Sequence, residues 1–172
     1  MSVVDFCAHV AARGGVLGAT VGTSPKGWEA VLGHAFLDVL GGGLLRRDYG
    51  LVEINFSPQQ PDQPDRMACF GFGVPVQRLL YDQSPDTVPP PLTRTYGTFT
   101  PRVPFTALPA ALQALGHTVA LDTDNTSRDM NCYRVSRSAA RIHVIADPAP
   151  GASGAPDQNG HQEGDVWSID VW

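Results

Sequence analysis

The chain has 172 residues, of which 42% are hydrophobic and 17% charged, and its net charge is -5 at pH 7. This length and composition are those of one globular domain with a sizeable core. The acidic balance argues against a nucleic-acid-binding protein, which would carry a basic surface, so we expect no direct contact with nucleic acid.

The N-terminal segment is predicted to form two helices. Ser2 and Asp5 have the spacing of a capping box, and the apolar residues that follow share one face, which predicts a helix over 2–13. Ser24 precedes a proline, a typical helix start, so a second short helix is expected to run from there to Gly33.

Two alternating segments predict neighbouring strands. The segment 51–57 has apolar residues at every second position, which is the pattern of a strand with one dry face and one solvated face. The segment 67–78 alternates in the same way, with Phe70 among its apolar positions, and we expect it to pair antiparallel with the first. Gly71 and Gly73 within it indicate a bulge or an edge position.

The second half of the chain is predicted to add one helix and several strands. Residues 82–104 contain six prolines and are expected to be irregular. Apolar periodicity predicts a helix over 106–115. The whole chain, residues 1–172, is therefore expected to be one α+β domain, an antiparallel sheet of about five strands with helices packed on one face. The later strands are predicted at 117–121, 130–135, 140–146 and 165–172.

Aromatic residues and one histidine are predicted to differ in burial. Trp28 and Trp167 are expected to anchor the core, whereas Trp172 is expected to be exposed. His143 lies between two apolar residues of a predicted strand, so we expect it on the solvated or helix-free face of that strand.

The three cysteines do not fit a disulfide framework or a metal site. Cys7, Cys69 and Cys132 are odd in number and widely spaced, and free thiols in a reducing cytosol fit them best. The first residues lack the features of a signal peptide, and no apolar run is long enough to cross a bilayer. We therefore expect a cytoplasmic protein without membrane association.

The acidic residues gather toward the C-terminal end. Every lysine and arginine lies at or before Arg141, and the five acidic residues that follow it equal the whole net charge. A solvated loop would account for this distribution, and so would an acidic surface that meets a basic partner. The five acids are Asp147, Asp157, Glu163, Asp165 and Asp170.

The segment Asp122–Asp129 begins like a calcium-binding loop but departs from it. Ser127 stands where such a loop has glycine, and Tyr133 stands where it has glutamate. The pattern favours a turn in which Asp and Asn cap backbone groups, and a weak metal or acid–base cluster with His117 is the alternative. No nucleotide-binding or hydrolase motif occurs in the sequence, so we expect no catalytic residue, metal or cofactor.

Several segments carry a family resemblance. Residues 22–33, with the sequence Gly-Thr-Ser-Pro-Lys-Gly-Trp-Glu-Ala-Val-Leu-Gly, are followed by 47–56, with Arg-Asp-Tyr-Gly-Leu-Val-Glu-Ile-Asn-Phe. They resemble small actinobacterial proteins that are encoded beside secreted polymorphic toxins and are regarded as their immunity proteins. The similarity extends to 69–79, to 108–116 and to 167–170, and so touches most of the chain.

The resemblance implies a protein without enzymatic activity that binds a cognate secreted toxin domain. Such a protein inhibits the toxin by covering its active-site region, and many of these toxins attack nucleic acids with basic clefts. We therefore predict that Asp157, Glu163 and Asp165, together with Asp122 and Asp124, contact the toxin.

The chain departs from the family pattern at one position. Gln77 stands where the second strand of the family usually ends with histidine. The alternatives are a small enzyme with a site around residues 117–129 and a regulatory protein-interaction module. We expect the protein to be a monomer or a weak dimer.

Overall fold

The computed structural model describes residues 1–60, 66–82, 84–148 and 160–172 of the chain. Among these residues, five α-helices and one short 3-10 helix form. No helix within them has the length and apolarity that a membrane crossing requires. The helices are α1 Val3–Arg13, α2 Pro25–Leu32, α3 Arg78–Tyr81, α4 Pro90–Tyr96 and α5 Leu108–Ala114, and the 3-10 helix spans Phe105–Ala107.

Ten strands form in the same described ranges. Two of them, β1 Gly15–Val16 and β2 Ala19–Thr20, make a small hairpin. The other eight form one antiparallel sheet in the order β3-β4-β5-β6-β10-β9-β8-β7. The α+β prediction is therefore confirmed, but the number of about five strands is wrong. The sheet consists of β3 Leu37–Gly41, β4 Leu44–Asp48, β5 Glu53–Pro58, β6 Met67–Val74, β7 Val119–Leu121, β8 Met130–Val135, β9 Ala140–Ile145 and β10 Val166–Val171.

The sequence-based expectation missed the β3–β4 hairpin. Gly42 and Gly43 connect these two strands with φ angles of 60° and 78°. Two consecutive residues with positive φ form the tight turn whose twist matches that of paired strands, and glycine is the residue that takes it without strain. The Gly-Gly pair between two apolar runs was the signal for this hairpin.

The predicted helix starts are confirmed in atomic detail. At α1 the backbone N–H of Asp5 donates to the Ser2 hydroxyl at 3.3 Å, and the Ser2 N–H donates to the Asp5 carboxylate at 2.6 Å. At α2 the backbone N–H of Gly27 donates to the Ser24 hydroxyl at 3.2 Å, and Pro25 occupies the first helical position. Each cap satisfies N–H groups that lack a partner within the helix.

The proline-rich segment contains a helix, contrary to the expectation of an irregular loop. Helix α4 begins at Pro90, and Pro91 follows in its first turn. Proline is tolerated there because first-turn N–H groups have no helical acceptor. The helix is held by Leu92 and Tyr96, which are both buried.

One hydrophobic core lies between the sheet and the helices. Buried residues of α1, α2, α4 and α5 form a single cluster with one face of the strands. Trp28 is fully buried as predicted, and its ring meets that of Phe72 edge-on at 5.1 Å. Trp167 is only half-buried, because the register between β9 and β10 shifts at its position.

A bulge between β5 and β6 changes the direction of one aromatic side chain. Asn55 pairs with Gly71 and Phe56 pairs with Cys69, so Phe70 is an extra residue between the two pairs. Phe70 is consequently 46% exposed, whereas Phe72 is buried. The predicted bulge is confirmed, and the expectation that Phe70 shares the apolar face is wrong.

Candidate partner-binding surface

We call the face of the sheet opposite the core the open face. Its side chains alternate with the core residues along each strand, and none of the four helices that contribute to the core covers it. Helix α3, which buries no residue, borders it through Arg78. The open face includes Arg46, Glu53, Asn55, Phe70, Arg134, Arg141, His143, Ser168 and Asp170, and Trp172 follows its central strand.

Strand register aligns charged side chains in one row across the open face. Residues that stand directly opposite each other on paired strands share a face. Along the row three acids, interrupted by one glycine, precede two arginines. From β4 to β8 it consists of Asp48, Glu53, Gly73, Asp170, Arg141 and Arg134.

A hollow of about 270 Å³ lies in the middle of this row. Its floor contains Gly71 and Gly73, where a Cβ atom would meet neighbouring atoms. At Gly73 a Cβ would lie 2.8 Å from Oδ1 of Asp170, and at Gly71 it would lie 3.3 Å from Cβ of Trp172. We call this space the glycine hollow, since a larger side chain at either position would fill it.

Two aromatic side chains form part of the wall of the glycine hollow. Phe70 is 46% exposed and Trp172 is 63% exposed. Large aromatic side chains are usually buried when a protein folds, and those that stay exposed are common anchors of protein interfaces. The hollow thus combines an acidic floor with apolar walls.

The acid on the floor of the hollow is held by two neighbours. The Ser168 hydroxyl donates to Oδ2 of Asp170 at 2.9 Å, and Nε2 of His143 lies 3.3 Å from the same oxygen. Burial raises the pKa of Asp170, with Ser168 and His143 acting in the opposite direction. His143 lies on the helix-free face, as predicted.

This arrangement is not that of a catalytic triad. In a triad the histidine lies between the nucleophile and the acid, whereas here the carboxylate of Asp170 lies between Ser168 and His143. Cys132 stands opposite His143 in the neighbouring strand, but it is 1% exposed and burial raises the pKa of its thiol. Neither Ser168 nor Cys132 is therefore an activated nucleophile.

The other two acids of the row share one arginine. Arg78 donates to Asp48 at 2.9 Å and to the carbonyl of Gly50 at 2.6 Å, and it also donates to Glu53. All three charged side chains are less than one-third exposed. Arg78 therefore offsets one of the two negative charges at this end of the row.

The structure places Asp122, predicted to contact a partner, inside the protein. Its carboxylate is inaccessible to solvent and accepts hydrogen bonds from Nε and Nη2 of Arg134 at 2.7 and 2.8 Å. Asn125 donates to it as well, at 3.0 Å, and Nε of Arg141 lies 3.3 Å away. The bonds from Arg134 are the main cause that lowers the pKa of Asp122, and burial opposes them.

Asp165 is also buried and paired. It is 2% exposed and accepts hydrogen bonds from Nε and Nη2 of Arg102 at 2.6 and 2.9 Å. The backbone N–H of Gln162 donates to it at 2.8 Å. Burial alone would raise the pKa of Asp165, but the bonds from Arg102 and Gln162 lower it overall.

The remaining predicted contact residues differ in position. Asp124 is exposed, and its carboxylate lies 3.9 Å from Nη2 of Arg134, the arginine that also binds Asp122. Glu163 is exposed in a separate turn before β10. Asp157 lies outside the described residues. Of the predicted contact residues that the structure describes, a partner can therefore reach the carboxylates of Asp124 and Glu163.

The segment around residues 117–129 is a closed hydrogen-bonded turn. The Thr126 hydroxyl donates to the carbonyl of Asp122 at 2.9 Å, and the backbone N–H of Cys132 donates to that hydroxyl at 3.1 Å. Nδ1 of His117 is 2.6 Å from the carbonyl oxygen of Ser136. No group of three or more His, Cys, Asp or Glu side chains in the described ranges is arranged to hold a metal ion.

Sequence reasoning missed the aromatic wall of the glycine hollow. Phe70 faces outward only because of the bulge opposite Phe56, and the two strand glycines were the one signal for it. No family model matches the chain, and comparisons with curated proteins and with solved structures give no match either. Function is therefore inferred from the open face itself.

Proposed function

We propose that the protein is an immunity protein that binds a cognate secreted toxin domain through the open face and inhibits it by covering its active-site region. The observation that carries this proposal is the pair of exposed aromatic residues, Phe70 and Trp172, on the wall of the glycine hollow. The family resemblance of the sequence supports the same function.

The open face has the features of an interface core. Interface energy is concentrated in a few aromatic and arginine side chains around a pocket that excludes water. Phe70 and Trp172 supply the aromatic residues, and the hollow between them supplies the pocket. Arg46 lies on the same face, is exposed, and stands directly opposite Asn55.

Acidic residues contribute to the approach of the partner. Asp124 and Glu163 are exposed, and carboxylates at the rim of an interface increase the association rate with a basic partner more than they increase the affinity. Asp122 and Asp165 act differently, because each is neutralised by an arginine of the same chain. Their ion pairs stabilise the loops that carry the exposed acids.

The geometry around residues 117–129 gives little support to an enzyme. A general base needs a carboxylate that can take up a proton near neutral pH, and Arg134 lowers the pKa of Asp122. A regulatory protein-interaction module would use the same open face, so the partner distinguishes the two functions. We propose the toxin domain as this partner.

Coexpression with the toxin tests the proposal. The candidate to test is the variable C-terminal domain of a large secreted protein, if a gene immediately upstream encodes one, and its expression alone should stop cell growth. We expect the full chain to restore growth and to copurify with the toxin domain in a fixed ratio. Growth arrest that persists despite abundant folded protein would contradict the proposed function.

The contribution of the exposed acids has its own test. We expect the double variant with Asp124→Lys and Glu163→Lys to associate more slowly with the toxin domain at low salt, with little change in the dissociation rate. An association rate equal to that of the wild type would exclude these two residues from the approach of the partner.

A further inference from the structure

The outer edge of the sheet at β3 is long and apolar. All five residues of β3 are exposed, and β3 has only one neighbouring strand among the described residues. Leu37 is 74% exposed, Val39 53% and Leu40 73%. Proteins usually protect such an edge with lysine, proline, a bulge or a covering loop, and the described part of β3 has none of these.

The opposite edge of the sheet is built differently. Strand β7 has only three residues, and its first residue, Val119, is half-buried against the core. A short edge strand offers few backbone groups to a second strand. The two edges therefore differ in their capacity to accept another strand.

The tight turn of the hairpin determines which backbone groups of β3 are free. In a hairpin with a two-residue loop, the residues that flank the loop exchange hydrogen bonds, and such pairs alternate with non-bonded pairs along the strands. Gly41 flanks the loop and pairs with Leu44. It follows that Asp38 and Leu40 present their N–H and C=O groups to the outer edge.

The only charge in β3 is already compensated. The carboxylate of Asp38 accepts hydrogen bonds from Nε and Nη2 of Arg47 at 2.7 and 2.8 Å. A strand that adds to this edge therefore meets backbone groups and apolar side chains, and it removes no unpaired charge from water. A complementary strand must itself be extended, apolar and free of unpaired charge, and β3 of a second copy meets these requirements.

We propose that β3 pairs antiparallel with β3 of a second copy of this chain, about a twofold axis at Val39. In this register Asp38 of each copy exchanges two hydrogen bonds with Leu40 of the other, and the two valines face each other. The open faces of both copies then lie on the same side of one continuous sheet.

Other twofold registers are less favourable. A register centred on Asp38 would place two carboxylates directly opposite each other, which destabilises a strand pair. A register centred on Leu40 would require Gly42 to pair, but its φ of 60° is that of the turn and not of a strand. The register centred on Val39 uses the whole of β3 and nothing beyond it.

The size of this contact predicts a weak dimer. A five-residue strand and its apolar side chains bury less than the roughly 800 Å² per partner of a standard stable interface. Sedimentation equilibrium of the purified protein, from about 5 µM to about 1 mM, covers the range in which such small interfaces dissociate. We expect the average mass to rise from 18.4 kDa toward twice that value.

Matched edge variants locate the contact. Val39→Glu places a carboxylate opposite Arg46 within the hairpin, so the fold is retained, but it sets two carboxylates against each other across the proposed axis. We expect it to weaken dimerisation by at least about tenfold, since charge on an edge opposes strand pairing. Leu121→Glu on β7, where the side chain is 48% exposed, should dimerise like the wild type.

Cysteine variants test the register without adding charge. Val39→Cys should form a disulfide-linked dimer on mild oxidation, because opposed Cα atoms in a non-bonded antiparallel pair lie about 4.5 Å apart, within the range of a disulfide. Leu40→Cys should not, because its two Cα atoms would be more than about 7 Å apart. The native cysteines are buried and will not compete.

Each alternative result would overturn the proposal. The first is a wild-type protein that stays monomeric up to about 1 mM, a concentration at which weak interfaces associate. The second is a Val39→Glu variant that dimerises like the wild type. The third is disulfide crosslinking that is more efficient in Leu40→Cys than in Val39→Cys. A monomeric wild type would overturn the dimer whatever Val39→Glu does to toxin binding, because Val39 shares the open face with Arg46. Far-UV circular dichroism of each variant verifies folding.

Discussion

Asp122 and Arg134 are joined by two hydrogen bonds of 2.7 and 2.8 Å, with the carboxylate buried and the guanidinium side chain 52% exposed. The acid-rich turn therefore presents an arginine to solvent beside the one exposed acid, Asp124. A cluster of acids in the sequence is thus not an acidic surface in the structure. This distinction moves the centre of the proposed interface from the acidic loops to the open face.

The buried Asp122 should make the stability of the protein depend on acid pH. Its pKa is lowered in the folded state, so below about pH 4, where ordinary Asp residues protonate, the unfolded chain binds more protons than the folded chain. The contribution of Asp122 to the free energy of unfolding should therefore be complete above this range and should decrease as the pH falls through it. Urea denaturation at a series of pH values measures this dependence.

Asparagine variants separate the buried acid from its exposed neighbour. Asp122→Asn should weaken the acid dependence, leaving the part that Asp165 contributes, and should lower stability at neutral pH, because Arg134 and Arg141 lose their anionic partner. Asp124→Asn should behave like the wild type, since Asp124 is 86% exposed. The same acid dependence in Asp122→Asn and the wild type would show that the Asp122 carboxylate does not contribute to it.

Two adjacent arginines should differ in their contribution to stability. Arg47 is 8% exposed, donates two hydrogen bonds to Asp38, and has its guanidinium carbon 3.6 Å from the centre of the Phe36 ring. Lysine cannot reproduce the two parallel bonds or the stacking, so Arg47→Lys should lower the free energy of unfolding by about 1–3 kcal/mol. Urea denaturation provides the measurement.

The control is the neighbouring residue of the same strand. Arg46 is exposed on the open face, and Arg46→Lys should change stability by less than about 0.5 kcal/mol. Equal losses in the two variants would contradict the role that we assign to Arg47.

Gly50 should be intolerant of any side chain. Its φ is 83°, and a Cβ would lie 2.4 Å from the carbonyl oxygen of Thr87, which is a backbone atom that cannot easily move aside. Gly50→Ala should therefore cost about 1–3 kcal/mol of stability. Gly41→Ala is the matched control, because nothing lies within 4 Å of its Cβ position. A Gly50→Ala variant as stable as the wild type would contradict the close approach of the Thr87 carbonyl to Gly50.

The three cysteines should be unreactive in the folded protein. Cys7, Cys69 and Cys132 are free and buried. Burial raises the pKa of Cys7 to about 12 and that of Cys69 to about 11, which leaves almost no thiolate at pH 8. Ellman's reagent should therefore label no thiol before unfolding and all three in denaturant. Rapid labelling of the native protein would indicate that the core opens.

Local signals in the sequence predicted much of the fold. The Ser2–Asp5 box and the Ser24 cap depend on residues three positions apart, and both helix starts are confirmed. The alternation around His143 correctly placed that residue on the helix-free face. Such features depend on neighbours in the chain, and so they can be read from the chain.

The features that sequence reasoning missed depend on distant contacts. Asp122 is buried because arginines 12 and 19 residues further along the chain reach it, as the positions of Arg134 and Arg141 show. Phe70 turns outward because of its register with another strand, and α4 forms because its buried Leu92 packs in the core. No local pattern specifies these pairings.

The most direct test of the proposed function is the affinity of the toxin domain for variants of the glycine hollow. In isothermal titration calorimetry, the double variant Phe70→Ala with Trp172→Ala should bind at least about 100-fold more weakly than the wild type, as expected when two aromatic anchors are lost. Leu121→Ala, an exposed apolar residue at the sheet edge, should bind normally. Wild-type affinity in a folded double variant would contradict the assignment of the open face as the binding surface.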